Sequence, residues 1–195
     1  MFIEPTLFSL ILAKIRKGKF ANIEELEFHR WYLILIAGGI QLVLSLLQKS
    51  NPFWAKLLLE DYFLYLHGLS YVLILFSILA NIKKRSMKLF LIGVLLNFLV
   101  ISFNGGKMPV SITGIQGINS PTIELPSNEF DIKHVAVTAN TKLVYLADII
   151  LIPRPYPLPK ILSIGDVFLI LGLFVFIQEI MVIEEDKKAL SQSTN

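Results

Sequence analysis

The sequence predicts an all-α integral membrane protein: four transmembrane helices, a short N-terminal membrane-associated helix, and a long extracytoplasmic segment between the third and fourth spans. Three observations predict it. Hydrophobic residues make up 54% of the 195-residue chain and charged residues only 17%, with a mean hydropathy of +0.66, whereas a soluble domain carries about a quarter charged residues. Four apolar runs approach the roughly 20 residues a helix needs to cross hydrocarbon. Lysine and arginine cluster beside those runs in alternate connections, as they do in cytoplasmic loops. The same apolar excess excludes a disordered chain.

Residues 1–20 form a short apolar segment with a basic end. Phe2–Ala13 is apolar but only about half a bilayer long, and Glu4 and Pro5 interrupt its start, so an interfacial or re-entrant helix is expected rather than a span. The first span is placed at 31–47 and the second at 62–80, both free of formal charge. The third, 87–105, is built on the charge-free run Leu89–Phe103. The fourth, 161–183, contains Asp166 near one end and Glu179 near the other. Gln41, Asn97, Gln178 and Glu179 are polar residues inside these runs and are expected to bond between helices.

Basic residues orient the chain. Lys14, Arg16, Lys17, Lys19 and Arg30 precede the first span, and Lys83, Lys84, Arg85 and Lys88 separate the second from the third. Both regions are therefore read as cytoplasmic, with both termini inside and residues 104–160 outside. Residues 184–195 form a cytoplasmic tail. The segment 48–61 is read as a short external connection. The whole chain is read as a single membrane domain in a bacterial cell membrane, with no cleaved signal peptide expected.

The external segment holds seven of the nine prolines. His134–Thr138 alternates as a short strand would. Leu143–Ile152 is apolar but too short to span, and is read as a strand or an interfacial helix. Pro153 to Pro159 alternates proline with other residues and is expected to be extended.

Several chemistries are excluded. No cysteine is present, so no disulfide, thiolate metal site or cysteine nucleophile exists. His29, His67 and His134 show no zinc-ligand spacing, and neither metal nor cofactor is expected. A net charge of +3 with the basic residues beside apolar runs argues for membrane lipids rather than nucleic acid as partners.

The polar residues at membrane depth carry the chemistry, because an ionisable group there is costly. Asp166, in Ser163-Ile164-Gly165-Asp166, lies about a turn inside the fourth run. Ser163 and Asp166 have the residue types of a helix cap. Asp148 sits in the apolar context Leu146-Ala147-Asp148-Ile149-Ile150 on the same side of the membrane, eighteen residues earlier. Two carboxylates brought together in a partly dry site cannot both ionise easily, so one holds a proton while the other acts as a base. Asp148 read alone is a turn or cap residue. Asn104, Gly105 and Arg154 are the candidate substrate-binding residues. The two glycines after Asn104 permit positive φ and close backbone approach, and Arg154 is suited to an anionic headgroup.

The motifs Asn104-Gly105-Gly106-Lys107-Met108-Pro109-Val110, Leu146-Ala147-Asp148-Ile149-Ile150 and Ser163-Ile164-Gly165-Asp166-Val167 resemble an uncharacterised bacterial multipass membrane family, domain of unknown function 5317. A second resemblance covers less of the chain. Ala147-Asp148-Ile149, Pro159, Ser163-Ile164-Gly165-Asp166 and Gly172 are similar to the end of signal peptidase II, an aspartyl membrane protease. Ser163 stands where that family has asparagine, and Gly165 where it has alanine. The resemblance implies a catalytic pair of Asp148 and Asp166 on the outer face, acting on a membrane-peptide or lipoprotein-like substrate. The alternative is a non-enzymatic membrane module or complex subunit that binds a lipid, a peptide or a partner helix.

Overall fold

The computed structural model describes residues 2–24, 26–50, 53–111, 133–153, 155–156 and 159–182, with backbone alone at 49, 50, 53–58, 60 and 61. Five α-helices account for most of it: α1 Ile3–Ile15, α2 Tyr32–Ser50, α3 Phe53–Ala80, α4 Arg85–Phe103 and α5 Ile164–Met181. Among the described residues, three stretches are long and apolar enough to cross a membrane: Tyr62–Ala80 within α3, α4 and α5. The apolar part of α2, Tyr32–Gln48, is shorter. Large apolar side chains are exposed along these helices, among them Leu35, Leu42, Tyr65, Leu69, Phe76 and Leu171. Such a surface suits lipid rather than water.

The helices stand in a row: α2 packs on α3, α3 on α4, α4 on α5 and α5 on α1. Neighbouring helices are joined by polar groups. Gln41 of α2 donates to the Ser70 hydroxyl of α3. Gln178 of α5 donates to the backbone carbonyl and hydroxyl of Ser9 in α1, and accepts from Arg16. Away from water, an unpaired amide costs more than the bond returns, so these positions fix which helix faces meet.

Three boundaries differ from the sequence expectation. Segment 48–61 is largely helical, since α3 already begins at Phe53 and runs for 28 residues, while its apolar stretch, Tyr62–Ala80, keeps the expected bounds. The run Ala55 to Glu60 consists of good helix formers. The third span ends at Phe103 rather than 105, because Gly105 and Gly106 adopt φ of +68° and +83°. The fourth helix starts at Ile164, and Lys160–Leu162 is a strand instead.

The all-α expectation is therefore incomplete. Among the described residues, four three-residue strands decorate one end of the helix row: β1 Met108–Val110, β2 His134–Ala136, β3 Ile150–Ile152 and β4 Lys160–Leu162. β1 pairs in parallel with β2, and β3 with β4 in antiparallel. The second pair is a hairpin closed by the proline stretch, in which the Tyr156 amide donates to the Pro153 carbonyl.

α1 lies along α5 over most of its depth. Glu4 is ion-paired to Lys160, just before α5, at 2.7 Å. The Ser9 hydroxyl donates to the Phe174 carbonyl, and Ala13 packs with Met181 and Val182. The backbone amide of Lys19 and the side chain of Asn22 both donate to the Met181 carbonyl. The contacts advance in the same direction along both helices, so α1 runs parallel to α5. At about 1.5 Å per residue, its 13 residues cover roughly 20 Å of the 27 Å of α5.

α4 and α5 make the closest helix pair. A Cβ on Gly93 would meet the Gly165 carbonyl at 2.7 Å, and one on Gly172 would meet the Phe90 ring at 3.1 Å. Small residues let the backbones approach in this way. The start of α4 is capped from outside its own sequence. Lys84, at the N-cap position, makes no side-chain cap bond. Instead Glu179 of α5 accepts from the Arg85 amide at 2.8 Å, the Ser86 amide at 3.2 Å and the Ser86 hydroxyl. A carboxylate at a helix N-terminus satisfies orphan donors and complements the dipole. Replacing Glu179 with Ala is expected to cost about 1–2 kcal/mol, read as a lower thermal midpoint in detergent, with Gln in its place recovering part of the loss.

Candidate functional site

The small strands build a site over the end of α4 and the start of α5, beside the middle of α3. α4 stops at Asn104, whose side chain donates to the Val100 carbonyl at 2.7 Å and the Lys142 carbonyl at 2.9 Å, and accepts from the Lys142 amide at 3.0 Å. The left-handed Gly105-Gly106 turn then redirects the chain. The Gly106 amide returns to the Ile101 carbonyl, and a Cβ at 106 would meet the α3 backbone at Leu64 Cα at 3.1 Å. This turn launches β1 across the end of the row. Met108 packs with Val100 and Ile101 beneath it.

β1 positions Asp148. The Asp148 amide donates to the Pro109 carbonyl and its carbonyl accepts from the Ser111 amide, each at 2.9 Å. Asp148 thus lies beside Val110 on the edge of β1 opposite β2. Its backbone is satisfied, but its side chain is not. The residue is only 9% exposed, and carboxyl oxygen Oδ1 has no hydrogen-bond partner. Burial, reinforced by the negative charge of Asp166 and partly opposed by His134, pushes this carboxyl up from 3.8 to about 7.

Asp166 is held quite differently. Its backbone amide donates to the Ser163 hydroxyl at 2.9 Å, and its Oδ2 accepts from the Ser163 amide at 3.1 Å. These two bonds form a capping box at the start of α5. Oδ1 accepts from the Asn97 side chain of α4 at 3.0 Å, and the Ser163 hydroxyl donates to the other end of the same amide at 2.9 Å. Asn97, Ser163 and Asp166 therefore lock α4 to the head of α5.

Asp148 and Asp166 line one cavity of about 280 Å³, together with His67, Tyr71, Asn97, Lys133, His134, Ile101, Met108 and Ile161. His67 is 4% exposed, lies between the rings of Phe63 and Tyr71, and has an unpartnered Nδ1. The cavity thus holds two buried polar atoms without protein partners, on an acid and an imidazole. Unsatisfied buried polar atoms are uncommon and call for a ligand, a water or a catalytic role. The arrangement offers one carboxyl that exchanges its proton near neutral pH beside a carboxylate that accepts on both oxygens. Such a pair suits acid–base work.

The other sequence candidates lie elsewhere. Asn104 does not line the cavity, and its amide is taken up in tying residue 142 to the end of α4. Gly105 serves the turn by its positive φ. Arg154 lies outside the described residues. Tyr71 and Asn97, the latter expected as an interhelical partner, both line the cavity. The spacing of His67 and Tyr71, four apart on one helix face, is a signal that points to this. Lys133 and His134 carry no comparable signal, because their position depends on strand pairing.

Gly165 marks a difference from the aspartyl-peptidase pattern. A Cβ there would run into Asn97 Oδ1 and come within 2.8 Å of the Gly93 carbonyl. The alanine of that pattern has no room at 165.

Comparison with known proteins gives a family without an activity. An uncharacterized protein of Thermotoga maritima is 31% identical over 176 residues, covering 90% of this chain and 89% of that protein. No solved structure matches. Residues 25–178, which contain α2 to α4, most of α5 and the whole cavity, match the family of unknown function DUF5317, and the chain belongs to that family.

Proposed function

We propose that this protein is a polytopic membrane hydrolase whose acid–base pair is Asp148 and Asp166, acting on a peptide-like or lipoprotein-like substrate that reaches the cavity laterally from lipid. The observation that carries the reading is the shared cavity: one buried carboxyl with an unpartnered oxygen beside a second, hydrogen-bonded carboxylate. In this reading Asp166 takes a proton from water as it attacks the substrate carbonyl, and Asp148 gives its proton to the leaving amine. The two roles reverse to reset the pair.

α2 to α5 cross the bilayer in this reading, and the cavity faces outward. The basic residues Arg30, Lys83, Lys84, Arg85 and Lys88 at the opposite end support that orientation. α1 then forms a fifth membrane-embedded helix whose start lies on the cavity side, as its pairing with Lys160 suggests. That differs from the cytoplasmic N-terminus expected from sequence.

The test is turnover. Purified protein in lipid nanodiscs is incubated with precursor lipopeptides, and products are read by mass spectrometry. Asp148→Asn and Asp166→Asn are each expected to lower the rate at least a hundredfold. A second reading is favoured by one observation: Asp166 is already used in a capping box. In that reading the cavity belongs to a non-enzymatic module that holds a peptide or lipid group. Undiminished binding with no product from the wild type would favour it.

A further inference from the structure

At the opposite end of the helix row lies a second cavity, of about 490 Å³, lined by Leu26, Glu27, His29, Ala80, Asn81, Lys83 and Lys84. Its walls are preformed. Asn81, 5% exposed at the end of α3, accepts from the His29 amide at 2.9 Å and donates to the His29 carbonyl at 2.7 Å. Its amide also donates to the Ser77 carbonyl. The Lys84 ammonium donates to the Glu27 carbonyl at 2.8 Å. These bonds strap residues 26–30 across the turn between α3 and α4 and hold the hollow open beside it. Phe28, in the middle of the strap, packs on Phe176 and joins the core of Ile78, Met87 and Val94.

Two features point to the ligand. Lys83 and Lys84 sit in the described lining with one acid, Glu27, and Arg30, Arg85 and Lys88 follow nearby in sequence, so cations outnumber acids in the lining. Close along the chain to His29 and Ala80 of the lining, Trp31, Tyr32, Phe76 and Leu79 expose large apolar surfaces. A polar, cationic hollow next to an apolar helix surface matches an amphiphile with an anionic head and hydrocarbon tails. We propose that this hollow binds a phosphate group, supplied by the headgroup of an anionic phospholipid whose chains lie along the end of α3. The proposal does not depend on the chemistry of the Asp148 cavity. It does not draw on the N-terminus of α4, whose first amides are already taken by Glu179.

Native mass spectrometry of the full chain in detergent tests it, with phosphatidylglycerol, phosphatidylcholine and inorganic phosphate titrated separately. Wild type is expected to retain phosphatidylglycerol in preference to phosphatidylcholine. Lys83→Gln, at an exposed side chain, is expected to weaken that retention roughly fivefold, and Lys83→Gln with Lys84→Gln roughly thirtyfold. Glu27→Gln, which removes the one acidic residue of the lining, is expected to strengthen it. An equal response to millimolar inorganic phosphate keeps the phosphate site but assigns it to a soluble source. Equal retention of both lipids, or retention unchanged in Lys83→Gln and in the double variant, would overturn the proposal.

Discussion

Relative to Asp148→Asn, the wild-type protein is expected to lose stability between pH 5 and pH 8. The sign follows from the raised carboxyl. In the unfolded chain Asp148 loses its proton near 3.8, and in the folded protein near 7. Between these values the folded state holds a proton that the unfolded state has released, so stability falls as pH rises through that window. Above about 7 the loss is complete. Roughly three pH units correspond to about 4 kcal/mol at most. The cause is local: Asp148 is buried, its Oδ1 finds no donor, and Asp166 adds negative charge nearby. An amide at 148 keeps the shape and does not ionise. Thermal midpoints of both proteins from pH 5 to pH 8 measure the effect. A wild-type profile parallel to that of Asp148→Asn would mean that the carboxyl titrates outside this window. Infrared difference spectra in the carboxyl region give an independent reading of the same proton.

Gly165→Ala is expected to be the most damaging single methyl group that can be added to the helix row. The new Cβ meets Asn97 Oδ1 and the Gly93 carbonyl. Neither can retreat easily, because Gly93 is helix backbone and Asn97 is bonded to both Ser163 and Asp166. Overpacking of this kind costs about 1–3 kcal/mol, and each hydrogen bond lost adds about 1 kcal/mol. A total near 3 kcal/mol is expected, together with a displaced Asp166. Gly38→Ala in α2 is the control, since nothing lies within 4 Å of the added atom. That substitution is expected to be neutral or to stabilise by up to about 1 kcal/mol through helix propensity. Similar losses from both substitutions would show that α4 and α5 are not in the close contact described.

Much of the scaffold was legible in the residue order. Hydropathy marks α3, α4 and α5, because a lipid-facing helix needs apolar side chains on nearly every face. Serine followed three residues later by aspartate marks the head of α5. The start of the fourth helix was misplaced for a physical reason: a short apolar run such as Lys160–Leu162 has no period long enough to separate strand from helix. The candidate site was legible only in part. Asp148 and Asp166 stand out as acids in apolar surroundings. Asn104 and Gly105 stand out too, yet their side chain and backbone serve the turn that launches β1.

By itself the sequence determined a helical chain with stretches long and apolar enough to cross a membrane, a basic end and a family membership, because hydropathy, charge and motif spacing are local properties. Tertiary structure alone decided that Asp148 meets Asp166, His67 and Tyr71 in one cavity, and that α1 runs along α5. It also decided that Glu179 caps a helix some ninety residues away along the chain. Those arrangements rest on strand pairing and on unpaired polar groups seeking partners across helices. Neither leaves a pattern in the neighbouring residues from which it could be read.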